Sequence, residues 1–327
     1  DRLFLKCKAK IQASPEKYLG VLIDFLEIED MEAIGGGEEL ARKAFLEIDP
    51  ATLPPSTQEE YIKYLGVHFN RSVVIGKLQP FLESYNLPLE ILISLWKESG
   101  RPDVFWQNFQ ALRSLEQKSP GIGKFLYKEF GIVHFGRYPE EMLLDQQAEA
   151  ENQTLPYGTI IFPYSDYNGA FAYNREVFQK AYAGVKGKAL VRVVECNSVI
   201  GVARGLLKLE KKYNPTPEHG HRISFAVIGG HGTKESIQFG HVWGEAQPKL
   251  HLKDFQGKGV QRANRFFEDG ACISLISCST GQEGGMAQAL SKLIKGKVMG
   301  PDQDTNGKSM SITMDEKGKF DMDIAYR

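Results

Sequence analysis

Apolar positions along this chain change their period part-way through. In roughly the first 150 residues they recur at helical spacing; beyond residue 158 they gather into short unbroken runs separated by amphipathic stretches. Tyr18, Leu19, Leu22, Ile23, Phe25 and Leu26 return every three or four positions, as one buried helix face requires. The pattern resumes over 38–48 after Gly35, Gly36 and Gly37. It breaks at Asp49-Pro50 and Leu53-Pro54-Pro55, then restarts behind Ser56 or Thr57 with Glu59 and Glu60, a helix-start signature. Further helices are predicted over 57–69, 71–84, 88–98, 102–116 and 121–130, joined by short loops carrying Pro or Gly. Such an array resembles a short irregular solenoid, although no clean repeat period emerges.

The second part reads as strands alternating with helices. Strands are expected at 159–164 and 189–195, with helices at 174–182 and 198–213, the latter closed by Asn214-Pro215-Thr216-Pro217. There follow an apolar run from Arg222 to Gly232, a hairpin-like excursion through 236–239, and a helix near 258–268. A second apolar run from Ala271 to Gly281, a helix at 284–295 and a strand at 297–300 come next. Segments 309–314 and 320–324, around Asp315-Glu316-Lys317-Gly318, form a β-hairpin. This alternation implies an α/β fold with a mainly parallel sheet flanked by helices on both faces, preceded by an all-α domain. The polar stretch 148–153 sets the expected boundary, giving a helical domain over 1–150 and an α/β domain over 151–327. The aromatic segment 135–140 reads as a packed joint.

Bulk properties narrow the picture only a little. Hydrophobic content of 42% and charged content of 25% are ordinary for a globular protein. A formal net charge of −1 gives no general attraction to nucleic acid or to an anionic membrane, and no apolar run reaches bilayer length. Cys7, Cys196, Cys272 and Cys278 are few and irregularly spaced, which suits reduced thiols in a cytoplasm better than a disulfide framework. The chain opens on Asp1 rather than Met, as a fragment or processed product would.

Candidate chemistry lies at the ends of the two apolar runs. The first closes on Gly229-Gly230-His231-Gly232 and the second on Ser277-Cys278-Ser279-Thr280-Gly281. Parallel strands that stop abruptly at small residues deliver their last side chains to the carboxyl edge of the sheet, where α/β folds keep their chemistry. If the two strands are neighbours, an imidazole and a thiol meet there, and an imidazole can turn a thiol into the thiolate that attacks carbonyl carbon. Three glycines around His231 leave open space and permit a sharp turn. Cys272, six residues earlier on the same strand with no loop beside it, reads as a core cysteine.

The ordered pair of a hydrophobic block closed by His-Gly and a second closed by a small residue and Cys resembles the caspase-like cysteine peptidases. That superfamily includes caspases, metacaspases, legumains, gingipains and the self-cleaving domains of bacterial toxins. Cys278-Ser279-Thr280-Gly281, followed by Gly284-Gly285-Met286-Ala287-Gln288-Ala289-Leu290, is most similar to bacterial members of the CHAT and toxin types. The resemblance extends over residues 155–310 in architecture, with the two blocks as its specific part. It implies a caspase-like sheet, Cys278 as nucleophile and His231 as acid and base. It also implies an oxyanion hole from the backbone N–H groups of Gly232 and Cys278, and a chemistry needing neither metal nor cofactor. In that family the loops after the first strand and after the nucleophile strand line the pocket for the residue before the scissile bond. Here they carry Asp166, Asp302 and Asp304, which would favour Arg or Lys. Asp is also favoured in turns for backbone reasons. The expected partners are a protein or peptide substrate and a regulatory protein on the helical domain, with self-processing as in several relatives.

Three other readings compete. His219, His221, His231, His241 and His251 crowd one stretch, and His219-Gly220-His221 has metal-ligand spacing, yet no HExxH motif accompanies them. Gly184-Val185-Lys186-Gly187-Lys188-Ala189 has glycines and lysines but does not match a phosphate-binding loop and precedes a strand. A third reading is a catalytically silent scaffold whose helical domain binds a protein partner.

Overall fold

The structure, a computed structural model, describes residues 2–27, 37–83, 89–98, 101–165, 169–171, 175–214, 216, 220–240, 249–304 and 307–327. The chain folds as two compact units, Asp1–Trp96 with Arg101–Gln107, and Lys97–Gly100 with Asn108–Arg327.

The first unit is helical among its described residues. It holds α1 (Arg2–Ala13), α2 (Pro15–Leu26), α3 (Gly37–Leu46), α4 (Pro55–His68), α5 (Arg71–Glu83), most of α6 (Leu89–Glu98) and the start of α7 (Pro102–Lys118). Prolines begin α2, α4 and α7, because a first-turn residue has no intrahelical partner for its missing N–H. The break expected at residue 50 is a short 3-10 turn, Pro50–Thr52, in which the Asp49 carboxylate accepts from the Ala51 N–H at 2.9 Å. Leu19, Phe45, Tyr61 and Leu65 fill the core, with Phe45 stacked on Tyr61 at 4.6 Å.

In chain order the second unit carries α8 (Ile122–Phe130), α9 (Glu140–Ala148), β1 (Tyr157–Pro163), α10 (Arg175–Val185), β2 (Leu190–Cys196), α11 (Val199–Tyr213) and β3 (Ile223–Gly229). Three short strands follow, β4 (His231–Thr233), β5 (Ser236–Gln238) and β6 (Lys249–His251). Then come α12 (Lys258–Gln261), β7 (Phe267–Ile276), α13 (Met286–Ile294), β8 (Lys297–Met299), β9 (Gly307–Met314) and β10 (Phe320–Tyr326). The main sheet has the order β2-β1-β3-β7-β8, and every neighbouring pair is parallel. β1, β2 and β3 are buried at every position, which is why they read as mainly apolar runs rather than alternating ones, although β2 also buries the charged Arg192 and Glu195. β9 and β10 pair as the expected antiparallel hairpin. Its inward residues Met310, Ile312, Phe320 and Met322 are buried, and Phe320 packs on Phe225 of β3 at 5.0 Å.

Two expectations need correcting. The helix near 258–268 is only the single turn α12, followed by a 3-10 stretch Arg262–Phe266, and β7 begins at Phe267. Phe266 and Phe267 are both buried, and successive residues can both be buried in this way where the chain turns extended. The boundary between compact units also falls earlier than residue 150. The stretch 131–149, including the unforeseen helix α9, packs against β2 within the second unit. Gln146 bonds the edge-strand backbone at Val193 in both senses, accepting from its N–H at 2.9 Å and donating to its carbonyl at 3.1 Å. Glu195 accepts from the Arg137 guanidinium at 2.8 Å, the Tyr138 hydroxyl at 2.7 Å, and the Val133 and His134 N–H groups at 2.7 and 3.1 Å. Arg137 also donates to the Pro163 carbonyl at 2.9 Å. The polar segment 148–153 marks only the turn between α9 and β1.

Candidate active site

The site is built from the ends of two adjacent strands. Gly229 of β3 pairs in register with Ile276 of β7, and the Gly230 N–H donates to the Ile276 carbonyl at 3.2 Å. Two residues beyond that pair, the strands present His231 and Cys278. Equal register and adjacent strands therefore place both at one level of the carboxyl edge.

His231 opens the β4–β5 hairpin, whose turn is Lys234-Glu235. The pairs are His231 with Gln238, Gly232 with Ile237, and Thr233 with Ser236. A two-residue turn makes its flanking pair, Thr233 and Ser236, exchange ladder bonds, so by alternation His231 and Gln238 also do and Gly232 does not. The Gly232 N–H therefore points away from β5. On its other side Gly232 lies against Ser277 and Cys278, just past the end of β7. A Cβ there would stand 2.3 Å from Ser277 Oγ, 2.6 Å from the Cys278 carbonyl oxygen and 2.9 Å from the Cys278 amide nitrogen. No side chain fits in that gap, which gives this glycine a packing reason beyond turn geometry. The His231 ring is half-buried and lies 5.1 Å from the buried ring of Phe171, inclined at 54°. Phe171 in turn meets Phe162 of β1 edge-on, so an aromatic stack leads from the sheet core to the imidazole.

Cys278 is half-buried and in no disulfide, whereas Cys196 and Cys272 are buried. Burial pushes the Cys196 thiol up to about 12 and raises that of Cys272, whose sulfur faces the Phe320 carbonyl at 3.3 Å. Directly after Cys278 the chain turns sharply. Ser279 adopts φ +57°, in the left-handed region that non-glycine residues rarely enter. The segment 301–304 runs antiparallel beside this turn. Ser279 N–H donates to the Gln303 carbonyl at 3.0 Å, Gly281 N–H to the Pro301 carbonyl at 2.7 Å, and the Gln282 amide to the Asp302 carbonyl at 2.9 Å. Ser279 Oγ donates to Asp304 Oδ1 at 2.8 Å. The start of α13 ties the two motif loops together, because Met286 N–H donates to the Lys234 carbonyl at 3.0 Å and Ala287 N–H to that of Thr280 at 2.9 Å.

Of the three acidic residues expected in a substrate pocket, Asp302 and Asp304 are exposed in this one segment beside the Cys278 turn, and Asp166 lies outside the described residues. At the carboxyl ends of β1 and β2 the sequence reading missed a polar cluster. Ser165 N–H donates to Asn197 Oδ1 at 2.8 Å, Asn197 Nδ2 lies 3.5 Å from Glu98 Oε2, and burial raises the Glu98 carboxyl above its ordinary value. Asn197, a small polar residue just beyond a strand, carried a signal; Glu98, at the end of an ordinary helix, carried none. A separate cleft of about 720 Å³ is lined by Cys272 of β7, Lys295, Lys297, Lys319 and Asp321, and neither His231 nor Cys278 lines it. Among the described residues, no group of three or more His, Cys, Asp or Glu side chains could hold a metal ion. His219 and His241 lie outside them, and His221 Nε2 is 3.2 Å from the Thr154 carbonyl. Also among the described residues, no helix is long and apolar enough to cross a membrane.

Fold and site together define a mixed α/β protein with a parallel sheet and a His and Cys at neighbouring strand ends. Residues 206–319 match a family described as a domain of unknown function, DUF8616, and that span runs from α11 through β9, including both His231 and Cys278. Neither the curated proteins nor the solved structures contain a match.

Proposed function

We propose that the chain is a caspase-like cysteine endopeptidase of the bacterial CHAT or toxin type, with Cys278 as nucleophile and His231 as general acid and base. The observation that carries this reading is the adjacency of β3 and β7, with His231 and Cys278 two residues past a paired position. In the proposed reaction His231 takes the thiol proton as Cys278 Sγ bonds to the scissile carbonyl carbon. The resulting oxyanion faces the N–H groups of Gly232 and Cys278, each worth about 2.7–4 kcal/mol at the transition state. Collapse breaks the carbon–nitrogen bond, and the imidazolium gives its proton to the leaving amine. His231 then deprotonates a water, which attacks the thioester and releases the acid, returning the proton to Cys278 sulfur. This scheme uses no metal or cofactor.

Acidic residues in the flanking loops, Asp302 in particular, support cleavage after Arg or Lys. The helical unit supplies a surface for a substrate or a regulatory protein. The test is a mass-spectrometric cleavage profile of wild type and Cys278→Ala on a diverse peptide library. Cuts made by wild type alone are expected, concentrated after basic residues. Silence from both proteins, with Cys278 inert to a mild alkylating reagent, would replace the enzyme with a scaffold that acts through its helical unit.

A further inference from the structure

The turn that follows Cys278 is held by a side chain that the proposed mechanism does not use. Ser279 takes up a left-handed backbone, which costs a non-glycine residue of its kind free energy unless neighbours fix it. Its amide is satisfied by Gln303 and its hydroxyl by Asp304, both from the segment that follows β8. Two further bonds, Gly281 to Pro301 and Gln282 to Asp302, extend the same antiparallel zipper. Gly281 is packed so tightly that a Cβ would lie 2.0 Å from the Gly300 carbonyl oxygen, so this loop has little room to settle elsewhere. Among these bonds, the one to Asp304 alone joins two side chains. The others run to backbone carbonyls and persist whatever the residue types at 301–303.

We propose that Asp304 is a positioning residue for Cys278. By accepting the Ser279 hydroxyl it holds Ser279 in the left-handed conformation. That conformation fixes the direction of the preceding peptide, and so the aim of the Cys278 amide and sulfur toward Gly232 and His231. This rests on the peptidase reading, and it gives Asp304 a role different from that of a pocket acid pairing with a substrate's Arg or Lys. A carboxylate that accepts the hydroxyl of the residue beside Cys278 already has a partner within the protein, although it lies at the surface.

The two roles separate in kinetics. Full-length wild type, Asp304→Ala, Asp304→Asn, Ser279→Ala and the double variant Ser279→Ala/Asp304→Ala are compared in two assays. One is the cleavage of a peptide that the library identifies as a substrate; the other is the rate of Cys278 alkylation by iodoacetamide at neutral pH. Asp304→Ala is expected to lower kcat about tenfold with KM within about twofold, and to change the alkylation rate by at least threefold. Asp304→Asn, which keeps an acceptor oxygen, restores most of both. Ser279→Ala copies Asp304→Ala, and the double variant is no worse than either single one, because both remove one bond. A tenfold rise in KM confined to basic substrates, with alkylation unchanged, would make Asp304 a pocket acid and overturn the proposal. So would Asp304→Ala behaving as wild type in both assays. If no substrate is found, alkylation still reads the positioning role, so failure of the peptidase reading is told apart from failure of this one.

Discussion

Two carboxyl ends of the same sheet are built in opposite ways. At β2 the strand end is frozen by side chains: Glu195 is wholly buried and accepts four hydrogen bonds, one from an equally buried Arg137. At β3 and β7 the strand ends are kept thin by Gly229, Gly230 and Gly232, and the geometry is set by backbone bonds and one left-handed serine. The first arrangement satisfies the open edge of the sheet and the buried charges it carries, since an unpaired charge or peptide group there would be costly. On the proposed function, the second keeps amides and the side chains of His231 and Cys278 accessible, because bulk would block access to them. One strand end is held by buried side chains and the other by glycines and backbone bonds, and on the proposed function that contrast would divide stability from chemistry within one sheet.

The sharpest way to break this comparison is Arg137→Ala. It leaves Glu195 buried without its counter-charge and is expected to cost about 3–5 kcal/mol in urea unfolding, with Arg137→Met/Glu195→Leu recovering part of the loss. A loss below about 1 kcal/mol, as for an exposed pair, would remove the buttress from the account. Gly232→Ala probes the other end. Its Cβ would run into the Cys278 backbone, so kcat/KM should fall about a hundredfold while stability drops by only about 1–2 kcal/mol. Gly259→Ala, in open space, is the control expected to change neither. Activity of Gly232→Ala near wild type would show that the gap does not matter.

Glu98→Gln gives the smallest effect. Burial raises the Glu98 carboxyl, so folding favours its neutral form. Its contribution is therefore fully present below the unfolded value and is lost as pH rises through the folded one. The glutamine variant should melt about 1–2 °C above wild type at neutral pH. That gain should vanish below about pH 4, where the carboxyl is protonated in both states. An equal gain at both pH values would assign it to packing instead.

Much of the fold was legible because burial leaves a local trace. β1 and β3 are short, mainly apolar runs since both faces of each strand are covered, β2 differs only in burying Arg192 and Glu195, and the β9–β10 hairpin shows alternation because only one face is covered. The helix near 258–268 was misread because two adjacent phenylalanines do not reveal whether the chain around them is coiled or extended. The stretch 131–149 was assigned away from the sheet because its partners lie far along the chain. Gln146 with Val193, and Arg137 with Glu195, are pairs that no window of sequence contains.

The candidate site divides in the same way. Sequence alone determined that a histidine and a cysteine each close an apolar strand among small residues, since strand ends and glycines are local properties. Tertiary structure alone decided that those strands are neighbours in matched register, that Gly232 fills the gap beside Cys278, and that Asp304 reaches back to Ser279. Strand order, register and loop-to-loop bonds are settled by contacts between distant segments, whose free energy exists only once the chain has folded.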